Sequence, residues 1–290
     1  MDILPGFASL AARYDGFILD LWGVIHDGQT PYPGAVEVLT RLQQTGRRVA
    51  LLSNAPRRSD TVTTLMQGMG IPDRLYNVAL TSGEITRRML AERTDPFFAA
   101  LGSRVYHLGP ERDRSVLEGL EARYTRVDSP AEADFVLDTG YDDAAPAIDA
   151  AARDAELAAC RAAGLPMVCA NPDLVVVRRD GTRLYCAGTL AQRYEAQGGA
   201  VRWIGKPDPT VYGPVVALLG TAPERTLCVG DSLRTDMDGA RRAGLAGAWI
   251  LGGIHAEALE ASPLGRDAAA RRQAAEARLD PVAAVPFFSW

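Results

Sequence analysis

The sequence predicts an α/β protein, a doubly wound parallel sheet into which a second α/β segment is inserted. Three observations carry this prediction. Apolar runs of strand length alternate with helix-period segments near both ends of the chain. A stretch of about 120 residues between them, close to the size of a domain, repeats that alternation on its own. Polar groups capable of chemistry stand at the carboxyl ends of the strand-like runs, where open α/β sheets place their ligands.

In chain order, Phe17-Ile18-Leu19-Asp20-Leu21 reads as a buried strand, bounded by Asp15-Gly16 and Gly23. Residues 34–45 have helical spacing and stop at Gly46. Arg48 to Ser53 is the second strand, and residues 59–69 are a second helix ending near Gly70 and Pro72. Strand, helix, strand, helix with short connections argues for parallel pairing. In the middle stretch, strands are expected near 104–108, 134–138 and 166–169, and helices near 82–92, 111–120 and 145–163. Leu174 to Tyr185 reads as a hairpin turning at Asp180-Gly181. The first rhythm then returns, with a short strand at Trp203-Ile204, a helix over 209–219, a strand over 226–230 and a helix over 234–243. A last strand covers 248–251, and residues 266–278, rich in Ala and Arg, read as an exposed helix. The expected division is a core of residues 1–80 plus 203–290 around an insert of residues 81–202.

Composition bounds the function. A chain of 290 residues suggests two domains at roughly 150 residues each. With 47% apolar and 23% charged residues it is globular and not a disordered chain. The net charge of −5 without a basic block argues against a nucleic-acid partner. Its longest uncharged run, Pro209 to Pro223, is broken by Gly213, Pro214 and Gly220 and falls short of the roughly 18 residues that span a membrane. The N-terminal residues lack the basic start and long apolar stretch of a signal peptide. Cys160, Cys169, Cys186 and Cys228 form no CxxC pair and read as buried, reduced thiols, so a cytoplasmic location is expected.

One count is more specific. Thirty of the thirty-one basic residues are Arg, and the single Lys is Lys206 in Gly205-Lys206-Pro207. Arg replaces Lys readily on a surface but poorly where a compact ammonium is required. Composition alone leaves chance survival open. Three further elements share the strand-end position with Lys206. Asp20 closes an apolar run, where a carboxylate is costly unless paired or bound to a cation. Ser53-Asn54 closes the second strand, although such a pair also starts loops. Asp231 and Asp236, in Gly230-Asp231-Ser232-Leu233-Arg234-Thr235-Asp236, can face one point and offer oxygen ligands to a hard cation, or Asp231 and Ser232 can cap a helix. Each element has its structural alternative, but the four in this order are hard to obtain by chance.

That ordered set resembles the four motifs of the haloacid-dehalogenase superfamily of phosphotransferases. The insertion between the second and third motifs resembles the C2-capped class IIA group of phosphatases. Asn171-Pro172-Asp173 and Thr81-Ser82-Gly83 resemble weaker elements of that group. The resemblance covers most of the chain. It implies a Rossmann-like core with an inserted α/β cap of C2 type. It implies that Asp20 is the nucleophile, that Ser53 bonds a phosphoryl oxygen, and that Lys206 neutralises and orients Asp20 and the phosphate. It further implies that Asp20, Asp231, Asp236 and the backbone carbonyl of Trp22 hold Mg²⁺, with Ser53, Asn54, Asn171 and Asp173 on the substrate side. The physics agrees, because phosphoryl transfer depends on positioning and charge neutralisation.

One departure from the family pattern bears on activity. The family's phosphatases carry Asp two residues after the nucleophile as general acid and base, whereas here the run is Asp20-Leu21-Trp22-Gly23. An indole cannot exchange a proton in that role, and a general acid/base contributes about 10²–10⁴ in rate. His26 and Asp27 follow on the same loop and are candidates to approach the site. The leading expectation is a Mg²⁺-dependent phosphatase, slow or specialised. A hydrolytic dehalogenase and a non-catalytic phospho-ligand binder are the alternatives. Trp22 supports the first alternative and the paired Asp231 and Asp236 speak against it. A Schiff-base mechanism from the cap is excluded, since residues 81–202 contain no Lys. A P-loop fails on spacing and on Pro207, and no G-x-G-x-x-G follows the first strand. Expected partners are a small-molecule phosphate ester and, with the oligomeric state open, a second copy of the chain in a homodimer. Arg178, Arg179 and Arg183 flank the hairpin turn and read as a solvated charged face, with a second anionic group of the substrate as the sharper alternative.

Overall fold

Seven parallel strands form the main sheet of the computed structural model, which describes residues 1–141 and 150–290. In chain order they are β1 (Asp2–Ile3), β2 (Gly16–Leu19), β3 (Arg48–Ser53) and β4 (Val78–Thr81). A second sheet takes β5 (Arg104–Leu108), β6 (Thr125–Val127), β7 (Phe135–Asp138) and β8 (Met167–Cys169), and a hairpin takes β9 (Val175–Val177) and β10 (Arg183–Tyr185). Then come β11 (Val201–Trp203), β12 (Thr226–Gly230), β13 (Ala246–Ile250) and β14 (Ala283–Val285). The main sheet runs β1-β14-β13-β12-β2-β3-β4, and the second runs β11-β8-β7-β5-β6, also parallel throughout.

Both faces of each sheet are covered, and the strand period of two explains how. Phe17, Leu19, Val49, Leu51, Leu227 and Val229 point into one core with the helices Ala35–Gln44 and Ser59–Gly68. Ile18, Ala50, Leu52 and Cys228 point the other way, against the helix Tyr212–Leu219. The second sheet repeats the device. Leu108, Val136 and Met167 meet the helices Ala150–Ala162 and Ala187–Ala196, while Val105, Phe135 and Val168 meet the helices Ser82–Glu92 and Pro96–Ala100.

β2 lies between β3 and β12, so the order reverses there, and the crevice beyond the carboxyl ends of these three strands is where such sheets bind ligands. The hairpin forms as expected, with Arg183, Leu184 and Tyr185 paired to Val177, Val176 and Val175. All four cysteines are buried and none forms a disulfide. Among the described residues, no helix is long and apolar enough to cross a membrane.

Several elements differ from expectation. The strand expected at Trp203-Ile204 runs over Val201–Trp203 and pairs with Met167–Cys169, so it is an edge of the second sheet and not the start of the returning core. Its apolar residues fit either sheet, and only pairing decides. The helix expected over 111–120 is a short 3₁₀ stretch, Glu111–Leu117. The helix expected over 234–243 opens as a π-turn, Leu233–Met237, before continuing as Asp238–Arg242. The tail helix, Arg266–Glu276, is not wholly exposed, because Ala269, Ala270 and Ala274 pack with Trp249 and Leu259. Of the helix expected over 145–163, residues 145–149 lie outside the described residues.

Candidate active site

Asp20 directly follows β2, and its backbone N–H donates to the Val229 carbonyl, which fixes it beside the end of β12. Asp231 follows β12. Its carbonyl accepts from the Trp249 indole at 2.8 Å, and its Oδ2 accepts from the Ile254 N–H at 2.7 Å. Asp236 lies in the π-turn, where its Oδ2 accepts from the Ser232 N–H at 3.1 Å. Oxygens of Asp20, Asp231 and Asp236 come within 4.8 Å of one another.

Lys206 reaches this group from the segment after β11. Its Nζ donates to Asp20 Oδ1 at 2.7 Å and to Asp236 Oδ1 at 2.6 Å, and the residue is 3% exposed. Asn54 holds its backbone on both sides. Asn54 Oδ1 accepts from the Lys206 N–H at 2.8 Å, and Asn54 Nδ2 donates to the Lys206 carbonyl at 3.1 Å. The approach needs Gly205, whose φ is +125° and where a Cβ would meet Asn54 Oδ1 at 2.5 Å.

Three carboxylates around one ammonium, Asp231 and Asp236 buried and Asp20 largely so, make an electrically incomplete site. Burial raises the Asp20 carboxyl to about 7 against the pull of Lys206, with Asp236 adding to the rise. Burial pushes Asp231 well above the carboxylate range, helped by the charges of Asp20 and Asp236. Burial also resists the Lys206 charge, but Asp20, Asp236 and Asp173 outweigh it and raise the ammonium's pKa. A clustered, all-oxygen donor set short of positive charge fits a hard divalent cation.

The substrate-side residues divide. Ser53 Oγ accepts from the Ala55 N–H at 3.2 Å, and its own O–H is uncommitted among the described residues at the edge of a cavity. Asn54, expected against substrate, instead has both N–H groups engaged, by Lys206 and by Asp173 Oδ1 at 2.9 Å, so it positions rather than contacts. Asn171 Oδ1 accepts from the Asp173 N–H at 3.0 Å and shapes the turn that brings Asp173 to Asn54. Arg234 donates to the Pro172 carbonyl from the opposite side. Asn171-Pro172-Asp173 is therefore where the inserted segment meets the site.

The loop after Asp20 gives each candidate replacement acid a structural role. The Trp22 indole N–H donates to the Val177 carbonyl of β9 at 2.9 Å. Asp27 Oδ1 accepts from the N–H groups of Gln29 and Thr30 at 3.0 and 2.8 Å; burial opposes its charge, but these bonds and Arg179 hold its pKa low. His26 is buried, its Nδ1 accepts from the Gly28 N–H at 3.1 Å, and desolvation lowers its pKa to about 4. The sequence had no signal for the Trp22–Val177 contact, since the partners are 155 residues apart and one is a backbone carbonyl.

Residues 17–123 match the family model for haloacid dehalogenase-like hydrolases, and residues 203–276 match a related HAD-hydrolase-like model. Chronophin from Homo sapiens is 30% identical over 257 residues, covering 83% of this chain and 82% of that protein. The chain belongs to the haloacid dehalogenase-like hydrolase family. Within it, the class IIA phosphatases are its structural neighbours, and it is a hydrolase of phosphoric monoesters. A haloacid dehalogenase-like hydrolase from Brucella suis is 31% identical with a TM-score of 0.79, covering 98% of this chain and 99% of that one. A glycerol phosphate phosphatase from Mycobacterium tuberculosis, solved in complex with calcium, is 27% identical with a TM-score of 0.62, covering 89% and 72%. The dehalogenase alternative thus gives way to phosphatase chemistry on this scaffold.

Proposed function

We propose that the protein is a Mg²⁺-dependent phosphatase of small phosphate esters that works through an aspartyl-phosphate at Asp20 and is restricted to leaving groups that depart without a proton. The observation that carries this reading is Lys206 Nζ, 2.7 Å from Asp20 and 2.6 Å from Asp236 in a buried site. The ammonium favours the ionised form of Asp20 against the cost of burial and aims it, and it faces the phosphoryl group that Asp20 receives. The Ser53 O–H donates to a phosphoryl oxygen. Asp20, Asp231, Asp236 and the Trp22 carbonyl would hold the cation. When bound, it neutralises charge that would otherwise keep an anionic carboxylate from an anionic phosphate.

In the first step Asp20 attacks phosphorus and the bond to the ester oxygen breaks, the electron pair leaving on that oxygen. Trp22 cannot protonate it, because an indole N–H is not acidic and this one is engaged by Val177. Water then releases inorganic phosphate from Asp20. We also propose that the segment carrying the second sheet, residues 82–203, is the cap that closes over this site, on the support of the Trp22–Val177 and Asn54–Asp173 bonds. That none of the four cysteines forms a disulfide supports a reducing compartment.

The test is turnover of phosphate esters of graded leaving-group pKa, with and without Mg²⁺. The reading expects rates that fall steeply as the leaving group becomes more basic and that vanish with chelator. The engaged indole also favours a second reading, a binder of phosphorylated ligands on a phosphatase scaffold. Absence of turnover with every ester, alongside retained binding of phosphate analogues, would select it.

A further inference from the structure

A cavity of about 140 Å³ opens beside Ser53, between the loop after β2 and the β9–β10 hairpin. Ligand pockets for drug-sized molecules run to roughly 300–1,000 Å³, so this one suits a leaving group of about one ring. Its walls include Leu21, Trp22, Val62, Val176 and Leu184, with the ring of Tyr185 at the edge. These apolar walls offer a flat ring a surface to pack on, and the polar groups of the same cavity stand around it.

Three arginines line the same cavity, and they are not equivalent. Arg57 and Arg112 approach one carboxylate, Asp113, at 2.8 and 3.6 Å. Arg178, from the hairpin, makes no ion pair or side-chain hydrogen bond among the described residues, and its Nε is buried without a partner. Its neighbours on the turn are engaged: Arg179 donates to the Pro31 carbonyl at 2.7 Å, and Arg183 meets Glu257 at 2.9 Å. A guanidinium that makes no ion pair and has a buried Nε without a partner is a receptor for an anion, and its planar fork matches a carboxylate.

We propose, building on the phosphatase reading, that the substrate is an aryl phosphate whose ring also carries a carboxylate, with the ring held in the 140 Å³ cavity and the carboxylate met by Arg178. The chemistry of the loop points the same way. When Asp20 takes the phosphoryl group, the P–O(aryl) bond breaks and its electron pair leaves on a phenolate, which needs no proton in that step and later takes one from solvent. A site whose acid position is Trp22 can therefore turn over an aryl ester that it would leave intact as an alkyl ester.

The test compares kcat/KM for 4-carboxyphenyl phosphate and 4-carbamoylphenyl phosphate, nearly isosteric esters that differ in charge, in wild type and Arg178→Gln. The expected result is that the carboxylate-to-amide ratio falls about tenfold or more in the variant, the scale of a lost charge-assisted contact, while turnover of the amide holds. Comparing the two ratios cancels intrinsic reactivity, and a melting curve verifies the fold of the variant. An unchanged ratio overturns the proposal. So does benzoate that alters phenyl phosphate turnover without competing, because Arg178 also borders a cavity of about 620 Å³ on the other side of the hairpin. Calorimetry with 4-carboxyphenylphosphonate and phenylphosphonate separates the two readings. An Arg178-dependent preference in binding without turnover of any ester supports the anion site and refutes the phosphatase reading, and no preference in either measurement refutes the anion site alone.

Discussion

The ammonium of Lys206, the only lysine in the chain, lies 2.7 Å from the carboxylate of Asp20. In a chain with thirty arginines, that position has a requirement Arg does not meet. Lys206 also contacts Asp236 at 2.6 Å, and the residue is 3% exposed, so there is no room for a planar fork to rearrange. Lys206→Arg is expected to lower kcat by at least about 10²-fold, the scale of losing one aimed electrostatic contact in a water-excluded site. The variant's melting temperature and its kcat on an activated ester are the measurements. Wild-type turnover in a folded variant would return Lys206 to compositional chance.

The bond from Trp22 to Val177 gives the loop after Asp20 two properties that a pair of variants can separate. Trp22→Phe removes the tie to the hairpin and adds no acid. Trp22→Asp removes the tie and adds a proton donor. The expectation is that Trp22→Asp raises turnover of alkyl phosphates relative to Trp22→Phe, by up to about 10²–10⁴. The gain will fall below that ceiling where the cavity left by the indole loosens the loop; Gly28, where a Cβ would meet the indole at 2.4 Å, shows how tightly the ring is packed. Equal rates for the two variants would mean that protonation does not limit the reaction.

Asp231 tests the cation. Its carbonyl and one carboxylate oxygen are held by Trp249 and Ile254, so Asp231→Asn can keep both bonds while removing a charge. Saturating Mg²⁺ at about 100 times its Kd stabilises a folded protein by about 2.7 kcal/mol, which is several degrees in melting temperature for a chain of this size. The wild type is expected to show that shift and the variant to lose most of it, together with its turnover. Equal shifts would place the cation elsewhere.

Much of this site was legible before the fold. Asp20, Ser53 and Asp231 are read correctly as strand-end residues because β2, β3 and β12 are buried on both faces, and burial writes itself as continuous apolar runs. The edge strand Asp2–Ile3 and its neighbour Ala283–Val285 escape notice because two or three residues carry no period. The sheet that Trp203 joins is not legible in the sequence for a related reason: pairing is a long-range property, and a three-residue strand does not encode its neighbour. An amide side chain at Asn54 suits either a substrate or a backbone, and in the fold it bonds the backbone of Lys206, 152 residues away. In the sequence Trp22 stands only for a loss, the missing acid. The structure adds a gain, a tie between the catalytic loop and the hairpin.

The histidines set a final expectation, for stability against pH. The chain has three, and burial lowers the pKa of all of them, with His26 and His107 at about 4. His107 is the better probe, because it lies in β5 of the second sheet, bonded to Thr139 Oγ1 at 2.8 Å, and takes no part in the chemistry. Burial is the main cause of its shift, and Arg114 and Arg126 add to it. In the unfolded chain a histidine titrates near 6.5. Between that value and about 4 the unfolded state binds a proton that the folded state does not, so this contribution is constant above pH 6.5 and is lost as pH falls toward 4. From pH 7 to pH 5 that amounts to about 2 kcal/mol for one histidine. Asp20 acts in the opposite sense, since its raised pKa favours the folded state on the acid side, and total stability therefore mixes the two. The difference between His107→Gln and wild type removes the Asp20 contribution. Urea unfolding of both proteins at pH 7 and pH 5 should show the variant losing about 2 kcal/mol less than wild type. Parallel losses would mean that His107 takes up its proton in the folded state after all.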